Sequence, residues 1–407
     1  MPQNRCYRNQ HRNGGSVTDG TRREYAAAVR ARYLTATKTV KGMLLTEYCR
    51  TTGCHRKAAI RALRALHARS SRRPGRPRRY DVGLRPVLQR LWEVGDRACG
   101  KLLAPVLPLL VAALERHDAL HVTAAVRRQL LTLSPATIDR LLQPVRHARG
   151  RQPRRPSPSS GPLKQAIPLR TWSDWTGVRP GALQGDLVLH CGERTEGFFL
   201  TTLVTIDVAT GWTELAPVWG TSQQRVGSAI DQIRRRLPFP LREWHTDNGS
   251  EFLNHALLDY CRRHDIRVTR GRDYQKNDQA WVEQRNWLAI RRLVGHDRLT
   301  SHRAHAVLQE LYGRVQSHLN FFRPLRKVLS KQRHGARFTK RYDRPQTPYQ
   351  RLLLSGVLSA TARRALEARF LALNPATLSA DVARALDTLS RLAEPAARMM
   401  ATPVTQL

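Results

Sequence analysis

Eighteen residues, HARGRQPRRPSPSSGPLK (147–164), divide this chain into two kinds of sequence. Proline, glycine and clustered serine sustain neither helix nor strand, so the stretch reads as a linker and as the clearest domain boundary. Before it, apolar residues recur with a helical period. After it come short, nearly continuous apolar runs bounded by turn residues. One uniform architecture is excluded, and an all-α region followed by an α/β region is expected.

The linker is also basic, and so is the whole chain. Its 407 residues carry 70 Lys and Arg against 31 Asp and Glu, a formal net charge of +39. Such an excess repels itself unless a polyanion is bound. Nucleic acid is the polyanion expected, and arginine suits phosphate and guanine. No uncharged apolar run is long enough to span a membrane, so no membrane partner is expected. The start, MPQNRCYRNQHRNGG, has no apolar signal core, so no signal peptide is expected and a cytoplasmic protein is. Six scattered cysteines include no C-x-x-C pair, so inert thiols are expected rather than zinc ligands.

Residues 1–21 read as disordered and 22–146 as a helical DNA-binding region. Within it, VKGMLLTEYCRTTGCHRKAAIRALRAL reads as helix, a turn at Thr51-Thr52-Gly53, and a second helix. That second helix sets His55, Arg56, Lys57, Arg61 and Arg64 among Ala58, Ala59, Ile60, Leu63 and Leu66, the pattern of a helix-turn-helix with a basic recognition helix. The plainer alternative is a helical hairpin with a solvated basic face. RSSRRPGRPRRYD (69–81) can lay Arg76 and Arg78 along phosphates or into a minor groove, or serve only as a spacer. In VTAAVRRQLLTLSPATIDRLL, Ser134 is the expected N-cap and Pro135 the first helical residue. This is a second candidate helix-turn-helix, but its few basic residues favour a structural role at least equally.

Beyond the linker, 183–191, 197–209 and 213–219 read as strands and 222–237 as an amphipathic helix. REWHT follows as a strand, 254–264 as a helix, IRVT as a strand, and about 278–294 as a helix. The order βββ-α-β-α-β-α predicts an RNase H-like domain over 165–300, a mixed five-stranded sheet with flanking helices. Residues 301–407 read as a basic, mainly helical region.

Three acids in this domain stand where acids are costly. Asp186 lies in GDLVLHC, a run apolar on both faces. Asp247 ends a strand at HTDNGSEF, where Asn248-Gly249 turns the chain. Taken singly, one could be a solvated strand end and the other a turn cap. Glu283 is placed by 100° helical steps: Ile290 and Val294 fall within roughly 20° of it and Trp287 at roughly 40°. A core-facing Glu283 is therefore expected, with Arg285 and Arg292 on the opposite face. Oxygen ligands without a nearby His/Cys cluster favour Mg²⁺ or Mn²⁺. Two such ions form a standard device for in-line attack at a phosphodiester. Asp207, in TIDVATGW, is a rival first acid that its hairpin turn explains adequately.

Asp247 and Glu283 have 35 residues between them. With TDNGSEF, KNDQAWVEQRNW, GDLVLHCG, NFFRP and KRYDRPQTPYQRLL, the chain resembles the DDE catalytic core of retroviral-type integrases and insertion-sequence transposases, most of all the bacterial ISNCY-type group. The resemblance runs over about residues 22–355. It implies that Asp186, Asp247 and Glu283 form a metal-binding catalytic triad holding two ions. Asn248, Gly249 and Glu251 would shape the turn after the second acid, and Asn286 matches the family's E-x-x-N. Trp287 and Ile290 depart from the retroviral pattern, in which lysines on this helix often touch viral DNA. DNA contacts are accordingly expected from Arg291, Arg292 and the loop Arg270–Lys276, including Arg272. The activity implied is transposition: 3′-end cleavage at terminal inverted repeats and strand transfer into target DNA, by a dimer or higher oligomer. A catalytically silent DNA-binding regulator and a structure-selective nuclease are the alternatives.

Overall fold

The computed structural model describes residues 19–64, 80, 83–146, 175, 177–247, 249, 252, 254–272, 279–334 and 337–394. The expected disorder of the first residues up to 18, the linker 147–164, and Arg76, Arg78, Asn248, Glu251 and Lys276 lie outside them.

The chain divides into two compact units between Arg79 and Tyr80. The first holds α1 (Asp19–Thr35), α2 (Lys38–Thr52) and α3 (Arg56–Arg64). Val29, Tyr33, Leu44, Leu45, Tyr48, Ala59 and Leu63 form its small core. Helix α2 ends where Gly53 takes a left-handed φ of 67° and returns its N–H to the Cys49 carbonyl. The turn thus begins later than expected. Thr51 and Thr52 stay helical, each hydroxyl bonding the carbonyl four residues back, at 3.0 and 2.7 Å.

The second unit begins with α4 (Leu84–Val94), α5 (Gly100–Arg116), α6 (Ala124–Leu131) and α7 (Pro135–Arg146). Ser134 caps α7 as expected, its Oγ accepting the Thr137 N–H at 3.2 Å. Leu130, Leu133, Ile138 and Leu142 are buried, and Asp139 accepts the Gly100 N–H at 2.7 Å. The α6–α7 pair therefore serves packing. These four helices share one buried cluster with the sheet, so the expected region 22–146 straddles the division between units.

The sheet contains β1 (Ala182–Leu189), β2 (Thr201–Asp207), β3 (Thr213–Val218), β4 (Glu243–Thr246) and β5 (Arg267–Arg270). Its order is β3-β2-β1-β4-β5. The first three strands pair antiparallel, and β1, β4 and β5 pair parallel. This is the mixed five-stranded sheet the element order predicts. Helices α8 (Gln223–Arg236) and α9 (His255–Arg263) share the buried cluster of Leu183, Leu203, Ala216 and Trp244. On the other face, Val188, Val204, Ile206 and Leu215 meet α10 (Ala280–Arg285), a π-helical segment (Asn286–Arg291) and α11 (His302–Phe321). Alternation along β1 sends Gln184, Asp186 and Val188 to this second face.

The C-terminal part is not only helical. A two-stranded ribbon, β6 (Val328–His334) and β7 (Arg337–Tyr342), precedes α12 (Pro348–Leu354), α13 (Ala360–Ala372) and α14 (Pro375–Leu392). No helix of the described residues is long and apolar enough to cross a membrane.

Candidate active site

Strand register brings the first two acids together. In the β1–β4 pairing Ala182 meets Glu243 and Gln184 meets His245, an offset of 61 (243 − 182). Asp186 and Asp247 differ by the same 61 positions. The pairing ends at Gln184 and His245, two residues short of both acids, and the Asp247 charge is felt at the Asp186 carboxyl. Asp247 also accepts the Gly249 N–H at 3.0 Å, so the turn-capping role is real. Gly185 adds a spacing constraint: a Cβ there would lie 2.4 Å from the Trp244 ring on β4.

Helix α10 supplies the third acid. Its first turn is tied to β1 by the Val282 N–H, which reaches Gln184 Oε1 at 3.4 Å. Trp281 packs edge-on against Trp175, which packs edge-on against His245. Asn286 donates to Asp186 Oδ2 at 2.5 Å, and the Leu187 N–H to Asp186 Oδ1 at 2.8 Å. The Asn286 Oδ1 is buried without a hydrogen-bond partner among the described residues.

The Asp186 carboxyl reports this environment. Desolvation first, then the Asp247 charge, push its pKa up to about 7, with Glu283 adding in the same direction. The Asn286 and Leu187 bonds pull the other way and are outweighed. Three carboxylates therefore act on one another. Among the described residues, no three His, Cys, Asp or Glu side chains are gathered closely enough to hold a metal ion. In kind the set fits a hard divalent cation: its donors are all oxygen and carry like charge. The neighbouring Arg291 feels Asp186, but its guanidinium is bonded to the Leu189 and Gly295 carbonyls at 3.0 and 3.4 Å.

Glu283 does not face the core. It is exposed, while Val282, Arg285, Ala289 and Ile290 are buried. The expectation assumed uniform 100° steps. The π-helical segment Asn286–Arg291 takes more residues per turn, which carries Ile290 off the Glu283 face. The arginines are inverted too. Arg285 is buried, donates to the Gly211 carbonyl at 3.3 Å, and is brought down to about 10 by desolvation and then Arg323. Arg292 bonds Asp96 at 2.5 Å, and Arg323 bonds the same carboxylate at 2.7 Å. Burial pushes Asp96 upward, but the two guanidiniums outweigh it and hold it below the usual range. Arg270 is also buried. Of the arginines expected to meet DNA, Arg270 is buried and Arg291 and Arg292 are half-buried and bonded within the chain, whereas Arg272 is exposed.

In the first unit, His55, Arg56, Lys57, Arg61 and Arg64 are all exposed, with Ala59 and Leu63 turned to the core. Gln184, Trp175 and Arg285 were not anticipated. The one available signal was for Gln184, a polar residue inside an apolar run and two positions before Asp186.

Residues 179–276 match the model of the integrase core domain family. The match includes Asp186 and Asp247 and ends before Glu283. An uncharacterized protein, y4rM, of Sinorhizobium fredii is 42% identical over 336 residues, 82% of this chain and 96% of the relative. Among solved structures, the catalytic core of BIV integrase is 20% identical, over 43% of this chain and 95% of that one, with a TM-score of 0.28. The HTLV-2 integrase catalytic core in complex with magnesium is 18% identical, over 37% of this chain and 92% of that one, with a TM-score of 0.28.

Proposed function

Residues 179–276 match the integrase core domain family, and on that premise we propose that the chain is a DDE-type transposase that cuts and rejoins DNA at the ends of an insertion sequence. One observation carries the reading: Asp186, held by Asn286, lies in the field of Asp247 and Glu283, and its carboxyl is pushed up to about 7. A packed domain gains nothing from three acids that raise one another's energy. A reaction at a phosphodiester gives them a use.

Asp186, Asp247 and Glu283 would hold two Mg²⁺ or Mn²⁺ ions. When bound, these supply Lewis-acid activation of the attacking oxygen and charge stabilisation at the leaving oxygen. In the first step a water oxygen bonds to phosphorus as the 3′-oxygen bond breaks, and the departing 3′-oxygen takes up a proton. In the second step that 3′-hydroxyl loses its proton, attacks a target phosphodiester and displaces a new 3′-oxygen. Asn286 orients the Asp186 carboxyl throughout, and Gln184 and the Trp175–Trp281 contact hold α10 against the strand ends. The exposed basic face of α3 would read the terminal repeats. Joining two ends calls for at least a dimer on DNA.

The test exchanges Asp186, Asp247 or Glu283 for Ala and assays nicking of terminal-repeat DNA with Mg²⁺. Cleavage is expected to vanish while repeat binding persists. Undiminished cleavage by any one variant removes that residue from the triad. Binding without cleavage by the natural chain, on both terminal-repeat and branched DNA, would point to a silent regulator.

A further inference from the structure

The β6–β7 ribbon has no place in the site described above. Residues 326–342, RKVLSKQRHGARFTKRY, carry seven Lys and Arg and no Asp or Glu. Thr339, Lys340, Arg341 and Tyr342 are consecutive on β7 and all exposed. Successive residues of a strand point to opposite faces, so neither face of this end of the ribbon is covered. On β6, Gln332 is exposed and Leu329 is 68% exposed. A lone two-stranded ribbon is marginal in water, and this one gains little from apolar burial at these positions.

The root of the ribbon, by contrast, is firmly held. The Lys327 N–H reaches Asp343 Oδ1 at 2.7 Å, and Asp343 pairs with Arg351 at 2.6 Å. Lys327 Nζ bonds the Ala209 carbonyl, and Leu325 fills the space beside Gly211. The same Gly211 carbonyl accepts from Arg285, two residues after Glu283. A rigid base next to the catalytic helix thus carries a charged ribbon open on both faces. Arg326 lies over the Tyr342 ring, 4.6 Å from its centroid, which holds a cation in place at the exposed base.

We propose that the β6–β7 ribbon is a second DNA-binding element, which enters the major groove of double-stranded DNA beside the catalytic site. The major groove admits a two-stranded ribbon. Phosphates would pair with the exposed Lys340 and Arg341, and the exposed Leu329 suits a thymine methyl. This rests on the reading that DNA is the substrate.

The test uses the full chain and a 30-bp duplex of random sequence, with affinity followed by fluorescence anisotropy over a salt series. The double variant Lys340→Ala/Arg341→Ala is expected to bind about tenfold more weakly at 0.1 M salt. Its slope of log K against log salt is expected to fall by about 2, close to one for each phosphate no longer neutralised. Unchanged affinity and slope overturn the proposal. Should the double variant melt early, Lys340→Ala alone is expected to lower the slope by about 1, and no change there is equally decisive. A loss confined to an RNA duplex of the same length, or to phosphatidylserine vesicles, with DNA binding intact, also overturns it. A natural chain with a ribbon-dependent slope but no Mg²⁺-dependent nicking defeats the proposed function and leaves the ribbon standing. Triad-dependent nicking with a ribbon-independent slope does the reverse.

Discussion

Asp207 and Asp186 lie on neighbouring strands of one sheet and meet opposite surroundings. Asp207, fully buried at the end of β2, accepts the Gly181 N–H at 2.8 Å, the Thr210 N–H at 2.7 Å and the Thr210 hydroxyl at 2.6 Å. Lys327 adds a favourable charge nearby, although desolvation still raises its pKa. Asp186 has one side-chain donor and one from the next residue, and faces two further carboxylates. One acid closes a turn. The other lies in the field of two more carboxylates. Burial alone does not separate the two roles; the sign of the neighbouring groups does.

Activity should separate the two acids most widely. Asp186→Asn keeps the shape and removes the charge, and is expected to lower strand cleavage by about 10³-fold or more, several kcal/mol of transition-state stabilisation. Asp207→Asn should keep cleavage close to that of its folded fraction. Equal losses in the two variants, with both fully folded, would erase the distinction. In stability the order reverses. Asp207→Ala leaves three buried donors unmet, a cost on the order of 3 kcal/mol in urea unfolding.

A pH effect of opposite sign comes next. The folded pKa of Asp186, about 7, lies above the ordinary 3.8. The group therefore favours the fold below pH 4, and that contribution is lost as pH rises through 7. In metal-free protein, Asp186→Asn should then raise Tm by a few degrees at pH 8 and leave it unchanged at pH 4; a kcal/mol is worth about 2–4 °C in a unit of this size. Added Mg²⁺ should stabilise the natural chain more at pH 8 than at pH 6, because the ligand form is the deprotonated one. The smallest effect is expected of Asn286→Ala. Without that donor the Asp186 pKa moves further up, and the cleavage profile should shift to higher pH by about one unit, tenfold at a fixed pH on the rising limb. An unshifted profile would show that the Asn286 contact does not tune the acid.

The sheet was legible because its strands are apolar on both faces and are separated by clear turns. That the strands carrying Asp186 and preceding Asp247 could be neighbours was legible, and β1 and β4 do pair. The rotation of Glu283 was not legible. VEQRNWLAI reads as one uninterrupted helix, and nothing in its composition marks where a wider turn begins. That turn also reverses which of the nearby arginines meet solvent. The ribbon was hidden for a different reason: period-two alternation shows only when one face is buried, and here neither face of its described end is covered. The helices α4–α7 looked like companions of the helix-turn-helix because they share its period. Their buried residues belong instead to the sheet's cluster.

The gap at Gly185 also bears on how the sheet is put together. The Trp244 ring occupies the space a side chain would take on the neighbouring strand, within 2.4 Å of the missing Cβ. Sliding β4 by two residues either way would press that indole against Leu183 or Leu187 in place of an empty notch. The notch therefore favours the observed seating of β4 on β1 over a two-residue slip.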